Sequence, residues 1–378
     1  MNRASHSVVI IGAGPAGSAA ALRIAARRPD LAAQTLVLDR SVFPRDKLCA
    51  GGLSPLAESQ LARVQAAPEV SSCPVAAVEF GLASCRELVR PTSGLAFRTV
   101  LRREFDASLL DLVRRRGVSV AEGEHVRAIE VGRSGISIAT DRGEHHALVA
   151  IGADGATSLA RRTIGVASGP QGFALEVLVP ADSGLDAAFS DARATFDFAP
   201  IKAGLGGYCW IFPSANGDAP LLNCGIAVFA SDRSRSGQHA RSFLVQWLAS
   251  RGLPCDSSSI RGHGLISYRP ETRLGGLRVC LAGDAAGIDP YLGEGIPCAL
   301  GTGIAAADAV IAASDRNDFD LSRHHERVRR SPIGQVMERR TLRAHARYGR
   351  DPVERYFLAA RFFGRVRPEQ AGSPPDSI

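Results

Sequence analysis

The sequence predicts an α/β protein in which a parallel, doubly wound sheet is interrupted by a second, mainly antiparallel β layer and closed by C-terminal helices. Three observations carry this. An apolar run ending at Gly12 turns sharply into an alanine-rich stretch and is followed by a β-rich run, the strand–helix–strand order of a parallel unit. From 166 to 273 short β-branched and aromatic runs alternate with turn residues. Beyond 296 the small-residue and then basic stretches have helical character.

The elements follow in order. Residues 7–11 read as a short buried strand, 15–28 as a helix stopped at Pro29, where proline cannot continue the hydrogen-bond ladder, and 35–39 as a second strand. Residues 73–100 alternate strand-like segments with Gly and Pro breaks, and 103–116 form a helix with Phe105, Leu109, Leu110, Leu112 and Val113 as its apolar positions. Short β runs at 118–121, 136–140 and 148–151 imply a hairpin or meander that interrupts the parallel sheet. In the second layer, strands are expected at 173–179, 194–198, 208–212 and 221–228, and a helix at 242–250. Residues 277–282 read as a strand returning to the first domain, before a helix from 296 to 313.

With 378 residues, 45% of them hydrophobic, the chain suffices for one composite domain or two joined ones. The start at 1–7 lacks a signal pattern, and no run approaches the roughly 18 to 20 uninterrupted apolar residues of a spanning helix. The expectation is a soluble, cytoplasmic protein. Eight cysteines contain no CxxC pair, so no zinc, iron–sulfur or redox dithiol site is expected. The formal charge of +7 concentrates at 114–116 and 323–350; it either draws the chain to anionic lipid or an acidic substrate, or is a solvated helix face. Nucleic-acid binding lacks supporting motifs.

Gly12-Ala13-Gly14-Pro15-Ala16-Gly17 fits G-x-G-x-x-G between strand and helix, the context of a Rossmann-like dinucleotide site. The first glycine permits the turn, the second admits pyrophosphate, the third allows close packing, and the helix N-terminus binds phosphate. Asp39, at the end of the second strand, is placed to bind adenosine ribose hydroxyls.

Ile151-Gly152-Ala153-Asp154-Gly155-Ala156 and Leu281-Ala282-Gly283-Asp284-Ala285-Ala286-Gly287 resemble the DG and GD motifs of the para-hydroxybenzoate-hydroxylase-like FAD superfamily. The resemblance covers most of the chain and implies FAD, with Gly283 and Asp284 at its ribityl and ribose portion. Arg102 would clasp the flavin phosphate or ribityl chain as the equivalent superfamily arginine does, or else form a surface ion pair. The cofactor-binding set extends to Pro15, Ala16, Arg40, Ala50, Gly51, Val126, Asp154 and Gly155.

Three further segments resemble the geranylgeranyl reductase family: Lys47-Leu48-Cys49-Ala50-Gly51-Gly52-Leu53, Tyr208-Cys209-Trp210-Ile211-Phe212-Pro213 and Pro290-Tyr291-Leu292-Gly293-Glu294-Gly295. Ala50 departs from the family's glycine, which bears on how closely the loop approaches the flavin. The halogenase W-x-W-x-I-P pattern is absent. At Gly293, Gly295 and Ile296 a helix N-terminus would face the negative charge of reduced flavin, or the segment is a plain turn. Cys49 is either a proton donor, as a thiol beside an anionic flavin stays neutral, or a small loop residue. Tyr208 and Trp210 either line the substrate cavity or belong to ordinary sheet core.

The resemblance implies reduction of isolated double bonds in prenyl or similar apolar, lipid-like substrates. NAD(P)H is the expected external reductant; because Gly204–Gly207 and Gly301–Gly303 lack the context of a second dinucleotide fold, it would have to bind transiently over the flavin. Peripheral contact at the inner membrane face is a further expectation; oligomeric state is left open. Two other chemistries suit the same fold: monooxygenation of an aromatic or polyketide-like substrate through a C4a-hydroperoxyflavin, and quinone-linked electron transfer. The expected division is 1–72, 98–165 and 274–320 for FAD, 73–97 and 166–273 for substrate, 321–366 helical, and 367–378 a flexible tail.

Overall fold

The first apolar run becomes β1 (Ser5–Ile11), with Val8, Val9 and Ile10 fully buried, as a strand covered on both faces requires. The computed structural model describes residues 5–348 except 83–84, 93, 168–170, 182–185, 217–218 and 231–232. The helical expectation beyond 348 and the tail at 367–378 lie outside the described residues.

After β1 come α1 (Pro15–Arg27), the single turn α2 (Pro29–Ala32) and β2 (Thr35–Asp39). The chain then forms β3 (Gly52–Leu53), α3 (Pro55–Arg63), β4 (Ser72–Val75), β5 (Ala77–Leu82), β6 (Cys85–Val89), β7 (Phe97–Val100) and α4 (Arg102–Arg115). Next are β8 (Ser119–Glu122), the meander β9 (Val126–Val131), β10 (Ile136–Thr140) and β11 (Glu144–Gly152), and α5 (Leu159–Thr163). The second layer runs through β12 (Gly172–Pro180), α6 (Asp186–Ser190), β13 (Arg193–Asp197), β14 (Gly206–Asn216), β15 (Ala219–Ala230), α7 (Arg233–Ala249) and β16 (Arg261–Leu265). The return is β17 (Gly275–Gly276), β18 (Val279–Leu281), α8 (Gly295–Arg316), α9 (His324–Arg330) and α10 (Pro332–Tyr348).

Three sheets result. In the first, β18, β11, β1, β2 and β8 lie parallel in that order, with β17 and the β9–β10 hairpin added antiparallel. The second follows the order β16-β12-β15-β14-β13-β5-β6, antiparallel except where β13 meets β5. A third, β3-β7-β4, joins them: β3 carries the Cys49 loop, and Thr99 of β7 donates its hydroxyl to the Pro213 carbonyl of β14 at 2.5 Å.

The core of the first sheet is closed by α1, α4 and α8. On α4, Phe105, Leu109, Leu110 and Val113 are fully buried, each contributing about 1.5–3 kcal/mol of transfer free energy; Leu112 is only partly covered. α1 and α8 pack tightly enough that a Cβ on Gly303 would sit 2.2 Å from the Ala16 carbonyl oxygen. On the second sheet, α7 covers one face with Leu244, Trp247 and Leu248. The opposite face is left for the site.

Two elements differ from expectation. The helix expected at 242–250 already begins at Arg233. The strand expected at 277–282 is confined to Val279–Leu281, because Leu277 is half exposed and Arg278 takes a left-handed φ of 60° that breaks strand geometry. The absence of a spanning-length apolar run is also corrected. α8 is long and apolar enough to cross a membrane, with a mean hydropathy of 1.7, because its interrupting residues are small. Yet 83% of that window is buried inside the protein, as in a core helix.

Candidate active site

The glycine-rich turn, Asp39, the DG segment and the GD segment converge at the carboxyl ends of adjacent parallel strands. Ile11 is in register with Leu38 of β2 and Gly152 of β11, and Gly152 with Leu281 of β18. The crevice beyond such strand ends is where α/β sheets bind ligands. Gly12 turns with φ 103°, and a Cβ there would lie 2.3 Å from the Ala153 oxygen. A Cβ on Gly17 would lie 1.8 Å from the Gly12 oxygen. Gly14 differs, since its Cβ would meet only the Arg45 guanidinium, at 3.6 Å.

These observations test whether the residues fit a flavin dinucleotide. No side chain caps the N-terminus of α1 at Gly14, and the space above Gly14 holds no protein atom except the Arg45 guanidinium. Arg45 Nη1 is buried without a partner, while its Nη2 lies 3.1 Å from Asp106. An uncapped helix start facing an orphaned guanidinium donor is a fit for pyrophosphate. The residues present fit FAD.

Asp39 Oδ2 accepts from Ala13 N–H at 2.8 Å and Oδ1 from Ser41 N–H at 2.8 Å, so the carboxylate is anchored to the turn. Arg40 beside it is exposed and Val126 is buried at the start of β9. Pro15 and Ala16 open α1 and are buried. Asp154 caps α5: it accepts from the Ser158 hydroxyl at 2.5 Å and from the Leu159 and Ala160 amides at 2.6 and 3.1 Å. Gly155 has φ 80° and Gly283 φ 63°; Asp284, half-buried, follows in a short 3-10 turn. Arg102 is partly buried, with its side chain 9% exposed, and its fork lies on Asp106 at 2.8 and 2.7 Å while it also reaches the Cys49 thiol. Its ion pair with Asp106 is therefore not the surface pair expected as the alternative to a flavin clasp.

Beyond these strand ends lies a cavity of about 130 Å³. One wall is the 49–52 loop and another is 292–296 at the start of α8. The rest is the uncovered face of the second sheet, including Phe196, Tyr208, Trp210, Phe212 and Phe229. Strand alternation puts Tyr208, Trp210 and Phe212 on that one face. In register with both Trp210 and Glu176 is Gly225, whose Cβ would meet the indole at 2.2 Å. Trp210 donates to Asn223 Oδ1 at 2.8 Å; Asn223 Nδ2 donates at 3.1 Å both to the Cys49 carbonyl and to Glu176 Oε1.

Burial pushes the Glu176 carboxyl up to about 7, against the opposing pull of Asn223, Arg102, the Cys49 backbone amide and Lys47. His263, also on the cavity wall, is pushed down to about 4 by burial and then by Lys47. Its imidazole is therefore neutral at pH 7. Burial, followed by Asp289 and Glu294, raises the Tyr208 phenol, whose hydroxyl donates to the Leu292 carbonyl.

At the start of α8, Gly293 has φ 70° and no side chain caps the helix at Glu294. Asp289, fully buried, accepts from the Tyr291 and Leu292 amides and from Arg340 of α10 at 3.0 Å; Arg340 also donates to Glu294 at 2.5 Å. Gly295 and Ile296 thus present an uncapped helix start to the cavity, opposite Cys49. Ala50 is not left-handed; Gly51 carries that geometry, with φ 73°.

The structure therefore brings together Cys49, Ala50, Gly51, Tyr208, Trp210, Gly293, Gly295 and Ile296 around one cavity. Sequence reasoning missed Arg45, Glu176, Asn223 and His263. Glu176 and Asn223 had a signal: each is a lone polar residue inside an apolar strand, in Phe-Ala-Leu-Glu-Val-Leu-Val and Leu-Leu-Asn-Cys-Gly-Ile. Among the described residues no metal-binding cluster of His, Cys, Asp and Glu occurs.

No family model matches the chain. An uncharacterised protein of Methanosarcina barkeri is 30% identical over 332 residues, 87% of this chain and 80% of that one. A menaquinone reductase of Mycobacterium tuberculosis is 29% identical over 80% of this chain and 76% of its own. A digeranylgeranylglycerophospholipid reductase of Methanopyrus kandleri is 27% identical over 83% and 79%. Among solved structures, a geranylgeranyl bacteriochlorophyll reductase-like protein of Thermoplasma acidophilum superposes with a TM-score of 0.68 at 20% identity, covering 95% of this chain and 87% of that one. The halogenase PltM, in complex with phloroglucinol and FAD, gives 0.62 at 16% identity over 84% and 72%. At these identities the structural likeness is one of fold.

Proposed function

This chain belongs to the geranylgeranyl reductase family of FAD-dependent oxidoreductases, and from that premise we propose that it reduces carbon–carbon double bonds of a prenyl or similarly apolar substrate. The observation that carries the proposal is the cavity wall. Five aromatic rings of the second sheet face the Cys49 loop and the start of α8 across one space, a lining suited to an isoprenoid chain and unsuited to a charged substrate. The relatives named for menaquinone and for a digeranylgeranyl lipid support a prenyl-bearing substrate.

In this reading the 12–17 turn, the α1 N-terminus and Arg45 hold the pyrophosphate, Asp39 the adenosine ribose, and Gly283 and Asp284 the ribityl portion. Bound FAD supplies hydride transfer. The uncapped start of α8 favours negative charge at the cavity, while the aromatic wall excludes water and orients the alkene. Cys49 closes the opposite side, its sulfur accepting from the Gly51 amide at 3.4 Å. NAD(P)H serves as the external reductant and binds transiently, and substrate comes from a membrane reached peripherally.

The test is anaerobic: photoreduced protein is mixed with geranylgeraniol in detergent micelles, and flavin reoxidation is followed with mass analysis of the alcohol. Reoxidation with gain of two hydrogens per double bond is expected. Turnover only with oxygen, giving a hydroxylated product, would overturn the reading in favour of a monooxygenase; reoxidation by menaquinone with its side chain unchanged would indicate electron transfer.

A further inference from the structure

We propose that Glu176 is the acid of this site, a role that rests on the reductase reading above: its carboxyl protonates one alkene carbon while hydride from reduced flavin reaches the other. The π bond opens, two C–H bonds form, the flavin is oxidised and the alkene reduced. The carboxylate left on Glu176 regains its proton from water when product leaves.

Four observations place it there. Glu176 is the charged residue of an otherwise apolar stretch of β12 and is only 6% exposed. It lines the cavity in register with Gly225, whose missing side chain leaves room for the Trp210 indole on the same wall. Asn223 fixes Oε1 at 3.1 Å, and Asn223 is itself tied to Trp210 and the Cys49 carbonyl, so the carboxyl is oriented by the same residues that shape the wall. Its second oxygen is buried without a hydrogen bond.

That last point separates Glu176 from the structural carboxylates. Asp106 is clasped by Arg102 and Arg45, Asp289 by Arg340 and two amides, and Asp197 by Arg86, Arg251 and the Trp247 indole. Among the described residues, Glu176 supplies the buried carboxyl oxygen that has no partner. A buried carboxyl on the cavity wall, held through one oxygen by Asn223 and with its other oxygen unpaired, is held as the acid, in agreement with its upward shift to about 7. The groups around the Cys49 sulfur, by contrast, are donors, the Gly51 amide and the Arg102 guanidinium.

The experiment combines spectroscopy with single turnover. Infrared spectra of the FAD-loaded, oxidised protein should contain a protonated-carboxyl band that fades as pH rises through neutrality and is missing in Glu176→Gln. Photoreduced wild-type protein should be reoxidised anaerobically by geranylgeraniol at a rate that falls over the same pH range. Glu176→Gln, isosteric and still paired with Asn223, should keep FAD and photoreduce normally, yet be reoxidised about 100-fold more slowly or worse, without the alkaline fall. If wild-type protein is not reoxidised at all, the reductase reading fails and the acid role with it. If wild-type protein turns over but its rate is flat with pH, or the band survives in the variant, or the variant keeps the wild-type rate, Glu176 alone is refuted. Should Glu176→Gln fold poorly, the wild-type pH profile and band decide by themselves.

Discussion

At Glu176 the cost of burial makes a prediction independent of turnover. Folding raises its pKa from 4.5 to about 7, chiefly by desolvation. Below 4.5 both folded and unfolded states hold the proton and the native state is fully stable in this respect; as pH rises toward and through about 7 the unfolded chain ionises first, and stability is lost. The difference amounts to something on the order of 3 kcal/mol. Glu176→Gln should therefore gain on the wild type by roughly this amount between acid and mildly alkaline pH in urea titrations, and a gap that does not change with pH would contradict it. Gly14 offers the complementary case. Because its Cβ would meet only the Arg45 side chain, Gly14→Val should fold, with the melting temperature of wild-type apoprotein, yet purify colourless. Retention of stoichiometric yellow flavin would refute the pyrophosphate placement. Gly17→Ala should instead damage the fold itself, through its 1.8 Å approach to the Gly12 carbonyl oxygen.

Among the elements, α8 shows how a helix start is held without a cap of its own. Arg340, from α10, lies between buried Asp289 and Glu294, and removing one member of a buried ion pair leaves uncompensated charge costing about 3–5 kcal/mol. Arg340→Met should lose stability of that size in denaturant unfolding and weaken flavin retention, because the 292–296 wall is released with it. An unchanged midpoint would mean that Asp289 and Glu294 find other donors. This clamp was not legible in the sequence, where Arg340 is one of many arginines between 323 and 350. Contiguous motifs were: the Gly12–Gly17 turn, both Asp-Gly segments and the Tyr208 strand act through local spacing, which a linear pattern preserves. Arg45 and Asn223 act through partners 61 and 174 residues away, Asp106 and Cys49 respectively, and no local pattern records such distances. Their placement depends on which strands pair.

For the whole molecule, the same difference explains why the fold was more legible than the site. Parallel and antiparallel halves announce themselves by strand–helix alternation and by closely spaced β runs, whereas the cavity exists only where the third sheet, β3-β7-β4, holds the 49–52 loop against β14 through Thr99 and the Phe97–Phe212 ring contact at 5.2 Å. Its walls are the 49–52 loop, the start of α8 and the second sheet, so FAD reaching into it from the 12–17 turn would couple the two halves. Protein holding FAD at 100 times its Kd gains about 2.7 kcal/mol, and stripping the flavin should lower the melting temperature accordingly. The distribution of the loss is the sharper prediction. Amide exchange in apoprotein should quicken at the 12–17 turn, at 49–52, at 292–296 and on the strands carrying Tyr208 and Glu176, while α7 stays protected because Leu244 and Leu248 are fully buried against the opposite face of the second sheet. Faster exchange confined to the 12–17 turn would mean that the flavin ring does not reach the cavity, and the aromatic wall would then have to serve some other ligand.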